Sequence, residues 1–97
     1  MKNLIEIRDI LTKNKEIIEE NYNVKKIGIF GSYVRGEEKE DSDLDIIVDF
    51  SEPVSLLKLV NFENFLQKIT GVKVDVVPES DIRPELRNNI LNEVSYL

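Results

Sequence analysis

The chain has no cysteine and no histidine, and those two gaps narrow its chemistry before any motif is read. Without cysteine there is no disulfide, no thiolate nucleophile and no sulfur-ligated zinc. Without histidine the commonest acid–base side chain and zinc ligand is missing as well. Metal chemistry in such a chain must be built from oxygen, which favours magnesium, with manganese as the alternative. Long apolar runs are also lacking. None approaches the ~18 residues that a membrane span requires, so no membrane association is expected. Positive charge is scarce: 13 Lys and Arg stand against 19 Asp and Glu, a net charge of −6. A protein that tracks along DNA or RNA draws its affinity from clustered cations, so direct contact with nucleic acid is not expected either. Residues 1–10 are charged and helical in pattern, unlike a signal peptide, and a cytoplasmic setting is the default expectation.

What remains is enough for a folded protein. Apolar residues make up 41% of 97, too many for a disordered segment and sufficient for one core. We therefore expect a single domain over residues 1–97, without repeats or linkers. Leu4, Ile7, Leu11 and Ile18, joined by Ile10 and Ile17, recur at helical spacing and predict one amphipathic helix over residues 3–20. Val24–Phe30 reads as a strand and residues 31–36 as a turn or short helix, followed by a solvated acidic loop over residues 37–41. Leu44–Phe50 alternates, with Leu44, Ile46, Val48 and Phe50 on one face and Asp43, Asp45, Ile47 and Asp49 on the other. Ser51, Pro53 and Ser55 announce a helix whose apolar stripe runs from Leu56 to Ile69 and ends at Gly71. Residues 72–77 alternate again and bring Asp75 to the polar side. Pro78 ends that strand, and Pro84 opens a last helix carrying Leu86, Ile90 and Val94. The expected fold is α+β, a small mixed sheet with helices packed mainly on one face.

The densest chemistry lies in residues 31–48, GSYVRGEEKEDSDLDIIV. Gly31 lets the backbone approach a ligand closely, and the turn N–H groups and the Ser32 hydroxyl can donate to phosphate oxygens. A helix starting there would add favourable partial charge for an anion. Ten residues beyond Ser32, Ser42 precedes Asp43 and Asp45, which share a strand face. Two carboxylates that close repel each other unless a cation sits between them, so the pair reads as half of a divalent-metal site. A phosphate cradle beside a carboxylate pair suggests metal-assisted chemistry on a nucleoside triphosphate, which Arg35 can steer unless it forms a surface ion pair with Glu37 or Glu38. Ser42 reads first as the residue that orders the turn before Asp43, and Lys73 as a solvated lysine.

Gly31, Ser32, Arg35 and Gly36, followed by Ser42, Asp43 and Asp45 with Ile46, Ile47 and Val48 behind them, resemble the signature of the nucleotidyltransferase superfamily typified by DNA polymerase beta. More closely, the chain resembles the minimal nucleotidyltransferases, antitoxin partners of HEPN-domain toxins. The resemblance implies transfer of AMP from ATP to a hydroxyl. It implies Asp43, Asp45 and Asp75 as the catalytic and metal-holding carboxylates, with Asp75 in the later strand between Val74 and Val76. It further implies Gly31, Ser32, Arg35 and Ser42 as the nucleotide-binding set. Larger members add a domain that presents the acceptor, and 97 residues leave no room for one. The acceptor is then expected on a partner, a tyrosine of a HEPN toxin, in a hetero-oligomer. Two other readings stay open: a catalytically silent steric antitoxin, and a transferase for a small hydroxylated molecule such as an aminoglycoside.

Overall fold

The computed structural model describes residues 2–97. Helices α1 (Leu4–Lys13) and α2 (Lys15–Tyr22) lead into strand β1 (Val24–Phe30), the one-turn helix α3 (Ser32–Arg35) and strand β2 (Leu44–Phe50). Helix α4 (Leu56–Thr70), strand β3 (Val74–Pro78), a 3-10 turn at Glu79–Asp81, helix α5 (Pro84–Glu93) and strand β4 (Ser95–Tyr96) complete it. No helix among the described residues is long and apolar enough to cross a membrane.

The expected single first helix is two. The chain breaks at Asn14, whose side-chain amide donates to the Ile10 carbonyl at 2.8 Å while its φ and ψ leave the helical region at −105° and 9°. A short amide that bonds to nearby backbone competes with the helical ladder in this way. One expected core residue faces outward: Ile17 is 43% exposed, whereas Ile7, Leu11 and Ile18, which share one helical face, are buried. Asn3 starts α1 with a reciprocal capping box to Glu6.

The sheet has the order β3-β2-β1-β4. β1 runs antiparallel to β2 and to β4, while β2 and β3 are parallel. A register shift between Val24 and Lys26 leaves Lys25 and Lys26 facing water while Val24 and Ile27 are both buried. Val24, Ile27 and Ile29 of β1, Leu44, Ile46 and Val48 of β2, and Val74 and Val76 of β3 then form one apolar face. Ile7, Leu11, Ile18, Phe62 and Leu66 from α1, α2 and α4 close over it. Tyr22, Phe62, Phe65 and Phe50 form an aromatic chain at one end of this core, with centroid spacings of 5.0, 5.3 and 6.2 Å. Helices on one face leave the other face of the sheet to carry chemistry.

β4 was not expected. A two-residue strand is too short to show alternation, yet Ser95 and Tyr96 pair with Ile29 and Gly28, and the Leu97 N–H donates to the Ile27 carbonyl at 3.0 Å. Arg8 of α1 braces it by donating to the Ser95 hydroxyl at 2.6 Å and the Tyr96 carbonyl at 3.0 Å. The residues before it also depart from expectation: α5 buries no side chain, Leu86 is 47% exposed, and Val94 lies beyond the helix.

Candidate active site

The polar face of the sheet is built around Asp45. In register it faces Phe30 of β1 on one side and Asp75 of β3 on the other. The parallel pairing of β2 and β3 is what brings Asp75 beside it, thirty residues later in the chain. Asp43 stands two residues before Asp45, where Leu44 is anchored by donation to the Lys73 carbonyl at 2.7 Å. Asp43 and Asp75 are exposed, while Asp45 is half-buried. Burial first, and then the charges of Asp75 and Asp43, push the Asp45 carboxyl up from 3.8 to about 6, with Arg35 opposing them. All three carboxylates thus share one electrostatic neighbourhood.

Directly against Asp45 lies Gly31, at the exit of β1. Its φ of +80° is open to glycine alone without strain, and a Cβ there would run into the Asp45 carboxylate. Two independent constraints therefore put glycine at this position. Its carbonyl accepts from the Val34 and Arg35 N–H groups at 3.1 and 3.2 Å, which closes α3. Tyr33 points inward and is 2% exposed, fixing the turn to the core. Ser32 is half-buried, and its hydroxyl makes no hydrogen bond among the described residues. With only one turn, α3 adds little macrodipole, so the anion-binding capacity resides in local N–H and O–H donors.

Arg35 is engaged by two carboxylates. Its Nε donates to Glu37 at 2.8 Å, and its Nη1 donates to both oxygens of Glu93 at 3.0 and 3.2 Å. The ion pair with Glu37 is one that the sequence suggested. Glu93, at the end of α5, was not foreseen: no local pattern connects residue 93 to residue 31, yet the Gly31 N–H donates to its Oε1 at 2.7 Å. One available signal was an acidic residue in a helical last turn that holds no basic residue, where the macrodipole disfavours an anion unless it has a specific partner. Ser42 accepts from the Lys39 N–H at 2.8 Å and returns its own N–H to the Lys39 carbonyl at 3.0 Å. Its hydroxyl serves the turn before Asp43.

The donor set suits a hard divalent cation: oxygen only, three negative charges, and a central member kept partly from water. Among the described residues, no three acidic side chains already converge as a finished metal cage, so the fit is one of donors and charge. Two broad surface hollows lie elsewhere, one between α2 and α4 and one between the end of β2 and the Glu79–Asp81 turn. Neither hollow is lined by Asp43, Asp45 or Asp75.

Oxygen anions on two parallel strands stand beside a glycine-led turn, an arrangement suited to holding a metal-bound phosphate. The sequence profile of the nucleotidyltransferase domain family matches residues 11–97, and the chain belongs to that family, as a minimal nucleotidyltransferase. It is 47% identical to the protein adenylyltransferase MntA of Thermococcus cleftensis over 97 residues, covering 100% of this chain and 98% of that protein. A solved structure of a candidate minimal nucleotidyltransferase superposes with a TM-score of 0.85 at 33% identity, covering 99% of this chain and 97% of that one. In a solved complex of an MNT antitoxin with the tri-AMPylated Shewanella oneidensis HEPN toxin, the matching chain gives a TM-score of 0.69 at 18% identity. That match covers 93% of this chain and 70% of that one, and at such identity the likeness is of fold.

Proposed function

We propose that this protein transfers AMP from ATP to a tyrosine hydroxyl of a separate HEPN-domain toxin and thereby acts as its antitoxin. The observation that carries the reading is the register of Asp45 with Asp75, against Gly31, in a chain 47% identical to a protein adenylyltransferase over its full length. Asp43, Asp45 and Asp75 would hold magnesium, or manganese in its place. Bound there, a divalent cation supplies neutralisation of the charge that spreads over phosphoryl oxygens. Asp75, exposed and with no histidine in the chain to replace it, accepts the proton of the attacking hydroxyl. Ser32 and Arg35 donate to the triphosphate, and Gly31 keeps the approach open. Ser42 stays in the turn that aims Asp43. The oxygen–phosphorus bond to the tyrosine forms as the bond to pyrophosphate breaks, and pyrophosphate leaves.

The net charge of −6 disfavours a nucleic-acid acceptor and suits a basic protein partner. The cytoplasm, where ATP and a separately made partner are both present, is the compartment this reading assumes. The test is mass spectrometry of the HEPN protein after incubation with this chain, ATP and magnesium. One or more added AMP masses on tyrosine are expected, and none with Asp43→Asn. An unmodified toxin that is nevertheless silenced in a tight complex would establish the steric antitoxin. AMP found on an aminoglycoside and not on the toxin would establish the small-molecule enzyme.

A further inference from the structure

Glu93 reaches into the turn from the far end of the chain. Its Oε1 accepts from the Gly31 N–H at 2.7 Å and from Arg35 Nη1 at 3.0 Å, and its Oε2 accepts from the same Nη1 at 3.2 Å. A single side chain thus ties residue 31 to residue 35, the two ends of α3. Four residues make too short a helix to hold its shape alone, and the Gly31 N–H follows the last β1 residue paired with β2, Phe30. Something must satisfy that donor, and Glu93 does.

Its position is otherwise unfavourable. It is the last residue of α5, where the helix dipole opposes an anion. A carboxylate held there by three hydrogen-bond contacts points to a specific task. The delivery is rigid as well. Val94 and Tyr96 pack on Gly28 so closely that a Cβ there would clash with Val94 and lie 2.9 Å from the Tyr96 ring. Arg8 holds the Ser95 hydroxyl and the Tyr96 carbonyl from the other side.

A guanidinium has five N–H donors in a fixed plane. Glu37 takes Nε, Glu93 takes Nη1, and Nη2 makes no hydrogen bond to the described residues. The Arg35 side chain is 48% exposed. Two carboxylates therefore fix the plane of the guanidinium and leave Nη2 to donate to an incoming anion.

We infer that Glu93 is a positioning residue for the triphosphate: it bridges the Gly31 N–H and Arg35, keeping the phosphate turn closed and Nη2 of the guanidinium presented. The inference rests on the nucleotidyltransferase reading of this site and adds to it the class of contact Glu93 governs, the β- and γ-phosphates as opposed to the AMP moiety. Titration calorimetry with magnesium-ATP, and separately with AMP, tests it on the full chain. Glu93→Gln keeps an acceptor for Gly31 but loses the charge. ATP affinity should fall about tenfold, the factor carried by one charge-assisted hydrogen bond, while AMP affinity stays unchanged. Glu93→Asp keeps the charge but cannot span both donors, and ATP affinity should fall there too. In an Arg35→Ala background the Glu93→Gln effect should vanish. Tighter ATP binding in Glu93→Gln would show instead that Glu93 competes with the triphosphate. Equal losses for ATP and AMP, with a lowered Tm, would make its role purely structural. Wild-type affinity in both Glu93 variants would leave it a bystander. Failure of the wild type itself to bind ATP would overturn the nucleotidyltransferase reading, and this inference with it.

Discussion

At the scale of single residues, the site is defined by two positions where ordinary chemistry is disfavoured. Gly31 combines a φ of +80° with the absence of room for a Cβ beside Asp45. Gly31→Ala should therefore destabilise the fold by ~1–3 kcal/mol and displace Asp45, measurable as a lowered denaturant midpoint together with lost AMP transfer. Asp45 is the second position. Its folded carboxyl titrates at about 6 against an ordinary 3.8, so between those values the folded state binds the proton more tightly than the unfolded chain does. Stability then falls as pH rises through that window and levels off above it. Asp45→Asn should remove this penalty. Without metal the variant should be more stable than the parent at pH 7 by ~1 kcal/mol, the shift being discounted for the solvent that reaches a half-buried group. The difference should disappear at pH 4. Parallel thermal melts at the two pH values measure it, and a variant less stable at pH 7 would show that Asp45 is held by favourable contacts instead.

Among the elements, strands and helices with long patterns were legible in advance and those fixed by tertiary contact were not. Alternation in Leu44–Phe50 fixed which face of β2 carries Asp45, because a strand repeats every two residues. The helix over residues 3–20 was half right: its apolar spacing survives the break at Asn14, but a local amide–carbonyl bond decided continuity. β4 could not be read because its two residues are a strand only by virtue of Gly28 and Ile29. Asp75 came forward from alternation, but its closeness to Asp45 depends on strand order, which sequence periodicity does not encode. Glu93 lies wholly in that second category. The seat of β4 on Gly28 is accordingly a sensitive joint between fold and site. Gly28→Ala should overpack it, with a Cβ driven into Val94 and Tyr96, and destabilise by ~1–3 kcal/mol. Hydrogen exchange at Leu97, whose N–H donates to Ile27, should lose protection before the core does. Protection lost uniformly would mean that β4 is no separate unit.

For the molecule as a whole, the arrangement trades stability for binding. The charges of Asp75 and Asp43 disfavour an ionised Asp45 when no cation is present, while a core of Phe62, Leu66, Ile7 and Leu11, each at 0% exposure, holds the strands that carry them. A ligand that binds only to those carboxylates as the folded strands arrange them must then stabilise the entire fold, since it has no comparable site in the unfolded chain. At a hundred times its Kd, magnesium-ATP should add about 2.7 kcal/mol to unfolding, and a domain of this size converts each kcal/mol into ~4–8 °C of Tm. A rise of ~10–20 °C is therefore expected. Magnesium alone should give a smaller rise, and ATP with a chelator should lose most of the effect, because triphosphate and carboxylates then repel. Asp43→Asn should blunt the response to magnesium-ATP without lowering the Tm of the free protein, since Asp43 is exposed and outside the core. Thermal shift across a ligand series measures all four arms without any acceptor in the tube. A flat response in the wild type would remove the metal-triphosphate site from this face of the sheet. A full response in Asp43→Asn would leave the site in place and take Asp43 out of it.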